Sequence, residues 1–345
     1  MTQAKTQDSQ APTYSKKDFM SDQDVRWCPG CGDYSILAGV QKVMPELGVP
    51  KEKIVFISGI GCAARFPYYM NTYGFHTIHG RAPALATGVK LNNPDLHVFI
   101  ISGDGDALSI GGNHLIHLLR RNLDVNLIVF NNEVYGLTKG QLSPTSSVGT
   151  VTKTSPFGSS VRPVAPLNLA IGAQATFVAR TADILAKHLQ QTILAAHAHK
   201  GTSMIEALQN CHIFNDGVFK PILDKTVRDD KLLMLEAGKP MVFGKEQDKG
   251  IVYDSTSHVL KAVSLKDHSV DDLLVHDPTM KEAHLHYMLA AMGGEALPTA
   301  MGVIRSVEAP TYEEKVEFEK KTVLSQKGQG TLKDLLYSGE TWKVD

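Results

Sequence analysis

The sequence predicts an α/β protein built on a doubly wound parallel sheet, followed by an irregular C-terminal extension. Three observations carry this. Short apolar runs recur at Ile54–Ile57, His97–Ser102, Val125–Phe130, Thr176–Ala179 and Ser203–Leu208, the length and composition of buried strands. Helical stretches separate them, as crossover connections between parallel strands require. Past Phe214 that alternation stops. The chain divides on this reading into a flexible arm over 1–24, a sheet domain over 25–217 and an extension over 218–345.

Composition sets the outer limits. The chain has 345 residues, 43% hydrophobic and 21% charged, with a formal net charge of -1. That balance allows a real core and gives a nucleic-acid partner no electrostatic support. No apolar run reaches the length of a membrane span, and the start lacks the basic-then-apolar pattern of a secretion signal. A cytoplasmic chain is expected, with its four cysteines reduced rather than paired as disulfides.

Taken in order, the polar first 24 residues read as an arm that is disordered or orders on contact. Cys28-Pro29-Gly30-Cys31 is a tight knuckle, because Pro and Gly force a turn that sends both sulfurs to one side. Tyr34–Leu47 follows as a helix, with Ile36, Leu37, Val40, Val43 and Met44 as its apolar stripe. The strand Ile54–Ile57 runs into Ser58-Gly59-Ile60-Gly61-Cys62, which puts Cys62 past a strand's carboxyl end. Arg65–Arg81 reads as a long aromatic loop and Ala82–Leu91 as a helix rich in small residues. The strands His97–Ser102 and Val125–Phe130, joined by a helix, end in Gly103-Asp104-Gly105-Asp106 and Asn131-Asn132-Glu133. Parallel strands bring both ends to one sheet edge, where such folds bind ligands. Residues 142–166 form a long Ser/Thr/Pro/Gly-rich loop of the kind that usually serves function. A short helix over 168–173, the strand Thr176–Ala179, a helix over Asp183–His199 and the strand Ser203–Leu208 follow, and the last delivers Cys211. In the extension, Met280–Ala291 and Tyr312–Lys321 fit helices.

Asp104 and Asn132 converging beside a glycine-rich turn suit a hard cation carrying a phosphate ligand. A helix cap and a turn residue would account for them more plainly. The four cysteines admit two readings. A structural zinc site uses close pairs, whereas Cys62 and Cys211 are far apart in sequence. An iron–sulfur cluster accepts four dispersed thiolates, and Gly61 and Ala63 beside Cys62 leave room for one.

The motifs CPGCG, SGIGC, HGRA, GDGD, NNEVYGLTKGQ and QNC, in that order, resemble the beta subunits of the 2-oxoacid:ferredoxin oxidoreductases, most closely the 2-oxoglutarate type. The resemblance spans about Trp27 to Asn215. It implies the thiamine-diphosphate (TPP) fold of the diphosphate-binding type. It further implies that Cys28, Cys31, Cys62 and Cys211 ligate a 4Fe–4S cluster. Asp104, Asn132 and the Val134 carbonyl would hold Mg²⁺, and Gly103, Gly105 and Asp106 would line the diphosphate. Gly61, His79, Gly80 and Arg81 would lie near cofactor or substrate, though His79 and Arg81 could equally anchor a loop. Leu137 stands where pyruvate-specific relatives carry an Asn, which points to 2-oxoglutarate or a range of 2-oxoacids. Thr138 and Lys139 follow it, and Lys139 could meet an anionic group of substrate or coenzyme A, or simply be solvated.

The reaction so implied is oxidative decarboxylation of 2-oxoglutarate to succinyl-CoA with single electrons passed to ferredoxin, or its reverse, reductive carboxylation. The expected partner is an alpha subunit that brings the activating glutamate in a pyrimidine-binding domain, in a dimer of alpha–beta units. A subunit acting on pyruvate or on many 2-oxoacids, or a zinc-stabilised scaffold without activity, are the competing readings.

Overall fold

A computed structural model describes residues 13–344. Its centre is an eight-stranded sheet. The strands are β1 (Ile54–Ser58), β2 (Tyr73–His76), β3 (His97–Gly103), β4 (Val125–Asn131), β5 (Phe177–Ala182), β6 (Ser203–Leu208), β7 (Leu232–Met234) and, from near the C-terminus, Thr299–Ser306. The order is β2-β1-β3-β4-β6-β5, then Thr299–Ser306, then β7. The first six are mutually parallel, so their carboxyl ends share one edge.

Strand alternation sorts side chains to two faces. Val98, Ile100, Leu127 and Val129 join one core layer, while Phe99, Ile101, Ile128 and Phe130 join the other. Helix α1 (Asp33–Val43) precedes the first strand, and α2 (Ala82–Asn92), α3 (Asp104–Leu108), α4 (Gly112–Arg121), α5 (Pro166–Gly172) and α6 (Ala186–Ala198) connect the strands. The first layer lies under α2, α4 and α5, and the second under α1 and α6. Gly39 of α1 lets α6 approach closely, since a Cβ there would come within 2.9 Å of Leu189 Cδ2.

Several expectations change. Of the arm over 1–24, residues 1–12 lie outside the described residues, but 13–24 are laid onto the domain. Phe19 is fully buried, its carbonyl accepts from Asn71 N–H at 3.0 Å, and Met20 bridges Met70. The loop over 65–81 contains a 3-10 helix, Ala63–Tyr69, and the edge strand β2. The α6 helix begins at Ala186, and Asp183 lies in the turn before it. In the extension, Thr299–Ser306 runs antiparallel to β5 and β7 pairs beyond it. The main sheet therefore continues past residue 218. A small antiparallel sheet, β8 (Val242–Phe243), β9 (Lys249–Asp254) and β10 (Val259–Ser264), and the helices His284–Ala290 and Tyr312–Lys327 complete the extension. No described helix is long and apolar enough to cross a membrane.

Candidate cofactor site at the carboxyl edge of the sheet

The carboxyl ends of β1, β3 and β4 open into one cavity. It is lined by the Ile60–Ala63 turn after β1, Gly103–Asp106 after β3, Asn132 and Val134–Thr138 after β4, and by Asp33 and His79. The parallel register therefore unites most of the residues that the sequence singled out, although they span about a hundred positions.

Asp104 is the first residue of α3 rather than its cap, which is Gly103. Its side chain is 2% exposed. Oδ2 accepts from Ser143 Oγ at 2.6 Å and Thr145 Oγ1 at 2.5 Å, both from the long loop after Gln141. Burial pushes its carboxyl above the usual range despite these bonds. A buried carboxylate without a cation is costly, and a bound metal would reverse that cost. Opposite it, Asn132 is set by Gln209, whose Oε1 accepts from Asn132 Nδ2 at 2.8 Å. Asn132 Oδ1 accepts the Val134 N–H at 3.2 Å. The turn passes through Glu133 at φ 56, and the Val134 carbonyl accepts no hydrogen bond among the described residues. A carboxylate, an amide oxygen and an unspent carbonyl are the hard oxygen donors that Mg²⁺ takes. Gly103 opens the floor, because a Cβ there would meet only the Phe130 carbonyl, 4.0 Å away.

Other predicted residues take different roles. Gly105 is needed by Tyr135, since a Cβ would lie 2.2 Å from that ring, and Tyr135 Oη donates to the Gly105 carbonyl at 3.1 Å. Asp106 borders the cavity with its oxygens already committed. Oδ1 accepts from the N–H groups of Gly80 (2.7 Å) and Ile60 (3.2 Å), and Oδ2 accepts from Ser102 Oγ at 2.6 Å. It thus clamps two loops rather than offering a free carboxylate to a diphosphate. His79 Nδ1 sits 2.7 Å from Asp106 Oδ1 but off the line of a hydrogen bond, leaving that buried nitrogen unpartnered. Gly80 crosses Gly111 so closely that a Cβ would come within 2.5 Å of its nitrogen. Arg81 reaches the Ile110 carbonyl at 3.4 Å and lies outside the cavity wall, so it anchors a loop. Lys139, at φ 76, is exposed and also off the wall. Leu137, by contrast, lines both this cavity and an adjoining groove.

The cysteines gather beside the same cavity. Cys31 N–H donates to the Cys28 carbonyl at 3.1 Å, closing the knuckle, and Gly32 N–H donates to the Asn210 carbonyl at 3.1 Å, tying the knuckle to the Cys211 segment. Trp27 Nε1 donates to the Cys62 carbonyl at 2.7 Å. A Cβ on Gly136 would lie 3.3 Å from Cys211 Sγ and 3.8 Å from Cys62 Sγ, so Gly136, which lines the cofactor cavity, also lies against these sulfurs. Burial, Asp33 and neighbouring thiols push Cys62 up to about 12 and Cys31 higher still. Thiols so disfavoured as free anions are stabilised as thiolates by a metal. Among the described residues no group of three His, Cys, Asp or Glu closes to the spacing of a single metal ion.

The sequence reading missed the acids behind the cysteines and the groove beside them. Asp33 is fully buried and raised to about 7 by burial, offset in part by a hydrogen bond from Cys31, with Asp183 adding repulsion. The groove, about 610 Å³, is lined by Arg26, Arg65, Tyr68, His76 and Leu137 among others. Arg65 was legible in principle as the cation three residues after Cys62.

A parallel sheet with oxygen donors gathered at its carboxyl edge is the architecture of a ligand-binding α/β domain. Residues 59–207 match the family described as thiamine pyrophosphate enzyme, C-terminal TPP binding domain, so thiamine diphosphate is the cofactor of this fold. A 2-oxoglutarate oxidoreductase subunit KorB from Mycobacterium tuberculosis is 46% identical, across 100% of this chain and 94% of its own length. A 2-oxoacid:ferredoxin oxidoreductase beta subunit from Aeropyrum pernix is 49% identical over 55% of this chain and 60% of its own. Among solved structures, the 2-oxoglutarate:ferredoxin oxidoreductase from Magnetococcus marinus, with 2-oxoglutarate, coenzyme A and succinyl-CoA bound, superposes with a TM-score of 0.74 at 31% identity, over 94% of this chain and 95% of that one. The chain belongs to the beta subunits of the 2-oxoacid:ferredoxin oxidoreductases.

Proposed function

We propose that this subunit, joined to an alpha subunit, converts 2-oxoglutarate, coenzyme A and two oxidised ferredoxins to succinyl-CoA, carbon dioxide, a proton and two reduced ferredoxins, or runs the reverse. The observation that carries this is that Cys62 and Gly136 both line the cavity of Asp104 and Asn132, and that Gly136 lies against the sulfurs of Cys62 and Cys211. A site for carbanion chemistry and a site for one-electron chemistry are thereby contiguous.

Asp104, Asn132 and the Val134 carbonyl suit Mg²⁺ on the diphosphate, and Cys28, Cys31, Cys62 and Cys211 suit a 4Fe–4S cluster. Bound TPP supplies a nucleophilic carbon and an electron sink for decarboxylation. The chain's own residues do the rest. Ser143 and Thr145 aim Asp104, Gln209 aims Asn132, and Asp106 fixes the loops that carry Ile60 and His79. The Tyr135 and Leu137 side chains wall off water. Leu137, at the junction of cavity and groove, favours a longer 2-oxoacid over pyruvate through shape, an effect worth a few kcal/mol at most. The activating carboxylate is assigned to the alpha subunit, in a dimer of alpha–beta units.

The test is turnover of the complete complex on 2-oxoglutarate and on pyruvate. A larger kcat/KM for 2-oxoglutarate, and a shift toward pyruvate in Leu137→Asn, are expected. A wide preference for pyruvate in the native complex contradicts the substrate assignment, and full decarboxylation by the isolated chain contradicts the need for an alpha subunit.

A further inference from the structure

Behind the ion site lies a buried polar chain that crosses three strands. Arg180 on β5 donates from Nε to Glu206 Oε2 on β6 at 2.7 Å. Glu206 Oε1 accepts from Asn131 Nδ2 at the end of β4 at 2.8 Å. Arg180 is itself held by the carbonyls of Ala300 and Ala290, each at 3.3 Å, both in the C-terminal extension. Glu206 and Asn131 are 2% and 4% exposed.

Asn131 touches both halves of the ion site. Its Oδ1 lies 3.0 Å from Thr145 Oγ1, the hydroxyl on Asp104. The same oxygen accepts the N–H of Glu133 at 3.3 Å, inside the turn that presents Asn132 and the Val134 carbonyl. The Glu133 contact needs the oxygen, not the nitrogen, on this side of the amide, while the single Thr145 hydroxyl proton goes to Asp104. Glu206 imposes that choice, because a carboxylate only accepts and therefore selects the Asn131 NH₂.

Resting on the Mg²⁺–TPP reading above, we infer that Asn131, oriented by Glu206 and Arg180, is a positioning residue that sets divalent-cation affinity at the diphosphate site. The C-terminal extension thereby acts on the ion through Arg180. The relay works by donor and acceptor matching. Gln at 206 has one acceptor for two facing donors, Arg180 Nε and Asn131 Nδ2, so its amide turns NH₂ toward Asn131 and the Asn131 amide must flip. The flipped NH₂ would oppose the Glu133 N–H and disturb the turn carrying two of the three oxygen donors.

The experiment is calorimetric TPP binding to the complete alpha–beta complex across a Mg²⁺ titration, with thermal unfolding of each variant followed without Mg²⁺. Glu206→Gln is expected to raise the half-saturating Mg²⁺ about tenfold, the range found for partners behind metal ligands. Thr145→Val should do likewise, Thr145→Ser should stay within about twofold of native, and Glu206→Gln with Thr145→Val should fall short of the summed effects, as residues of one network do. If Glu206→Gln does not fold, Arg180→Met with Glu206→Leu removes both charges together, leaves neither buried alone, takes away the acceptor that orients Asn131, and should shift Mg²⁺ in the same direction. Native-like Mg²⁺ dependence in a folded Glu206 variant, with only thermal stability altered, overturns the inference. A native complex that binds no TPP at any Mg²⁺ concentration overturns the underlying reading instead, and is told apart by the native control.

Discussion

The two edges of the same sheet are wired in opposite ways. At the amino edge the charged groups answer one another. Lys90 and Lys200 both reach Asp124, at 3.4 and 2.9 Å, and His97 Nδ1 lies 2.9 Å from His197 Nε2. The Asn122 Oδ1 accepts from Thr176 Oγ1 and Thr202 N–H. At the carboxyl edge Asp33, Asp104, Glu133 and Asp183 converge, and burial raises every one of them. None pairs with a basic side chain among the described residues. An edge that satisfies itself is structural. An edge that gathers uncompensated acids and thiols suits cations from outside, as proposed above.

The largest effects are expected at the carboxyl edge. Asp104→Ala should lower kcat/KM at least about a hundredfold, because a direct ligand matters more than the partners behind it, and calorimetry should find TPP binding lost in parallel. Cys62→Ser comes next. Its iron content should fall while far-ultraviolet circular dichroism stays native, and reduction of a one-electron acceptor should drop by a similar factor. Retention of iron would break the assignment of Cys62. Gly105→Ala should cost about 1–3 kcal/mol, since the Tyr135 ring must move from a Cβ at 2.2 Å. Denaturant unfolding measures it.

At the amino edge the effect is smaller and depends on pH. Burial and the neighbouring His197 hold His97 down at about 4 from its ordinary 6.5. A depressed histidine lends stability that is present above pH 6.5 and is lost as pH falls through about 4. His97→Gln should flatten this acid loss by about 1 kcal/mol, allowing for solvent screening of a half-exposed group. Unfolding midpoints between pH 4 and 7 check it, and an unchanged slope contradicts it. The smallest effect is expected for Lys139→Ala, an exposed residue off the cavity wall, with turnover changed by about twofold or less.

Much of the carboxyl edge was legible because parallel strands force their ends together. Apolar runs ending at Ser102 and Phe130 sufficed to pair Asp104 with Asn132, and those ending at Ile57 and Leu208 to bring Cys62 and Cys211 alongside. Other parts left no periodic trace. The β2 strand, Tyr73–His76, is exposed at all four residues, so it shows none of the alternation that marks a half-buried strand. Thr299–Ser306 follows some ninety residues without a crossover helix pattern and enters the sheet antiparallel, which no local signal announces. The duties of Asp106, Asn131 and Glu206 depend on partners from loops and strands distant in sequence. For Asp106, the acid of a GDGD turn reads as a phosphate neighbour until the Gly80 and Ile60 amides are found on it. For Arg81 and Lys139 the sequence left a site contact and a plainer role both open, and the fold places Arg81 on the Ile110 carbonyl and Lys139 in solvent, both off the cavity wall.

We propose that the uncompensated edge carries an iron–sulfur cluster against the TPP cavity. Iron and acid-labile sulfide, measured on the anaerobically purified chain with its alpha subunit, test it most directly once matched against Cys211→Ala. The account predicts about four irons and four sulfides attributable to this chain, lost in the variant. Zinc without labile sulfide, or iron unchanged in Cys211→Ala, would contradict it.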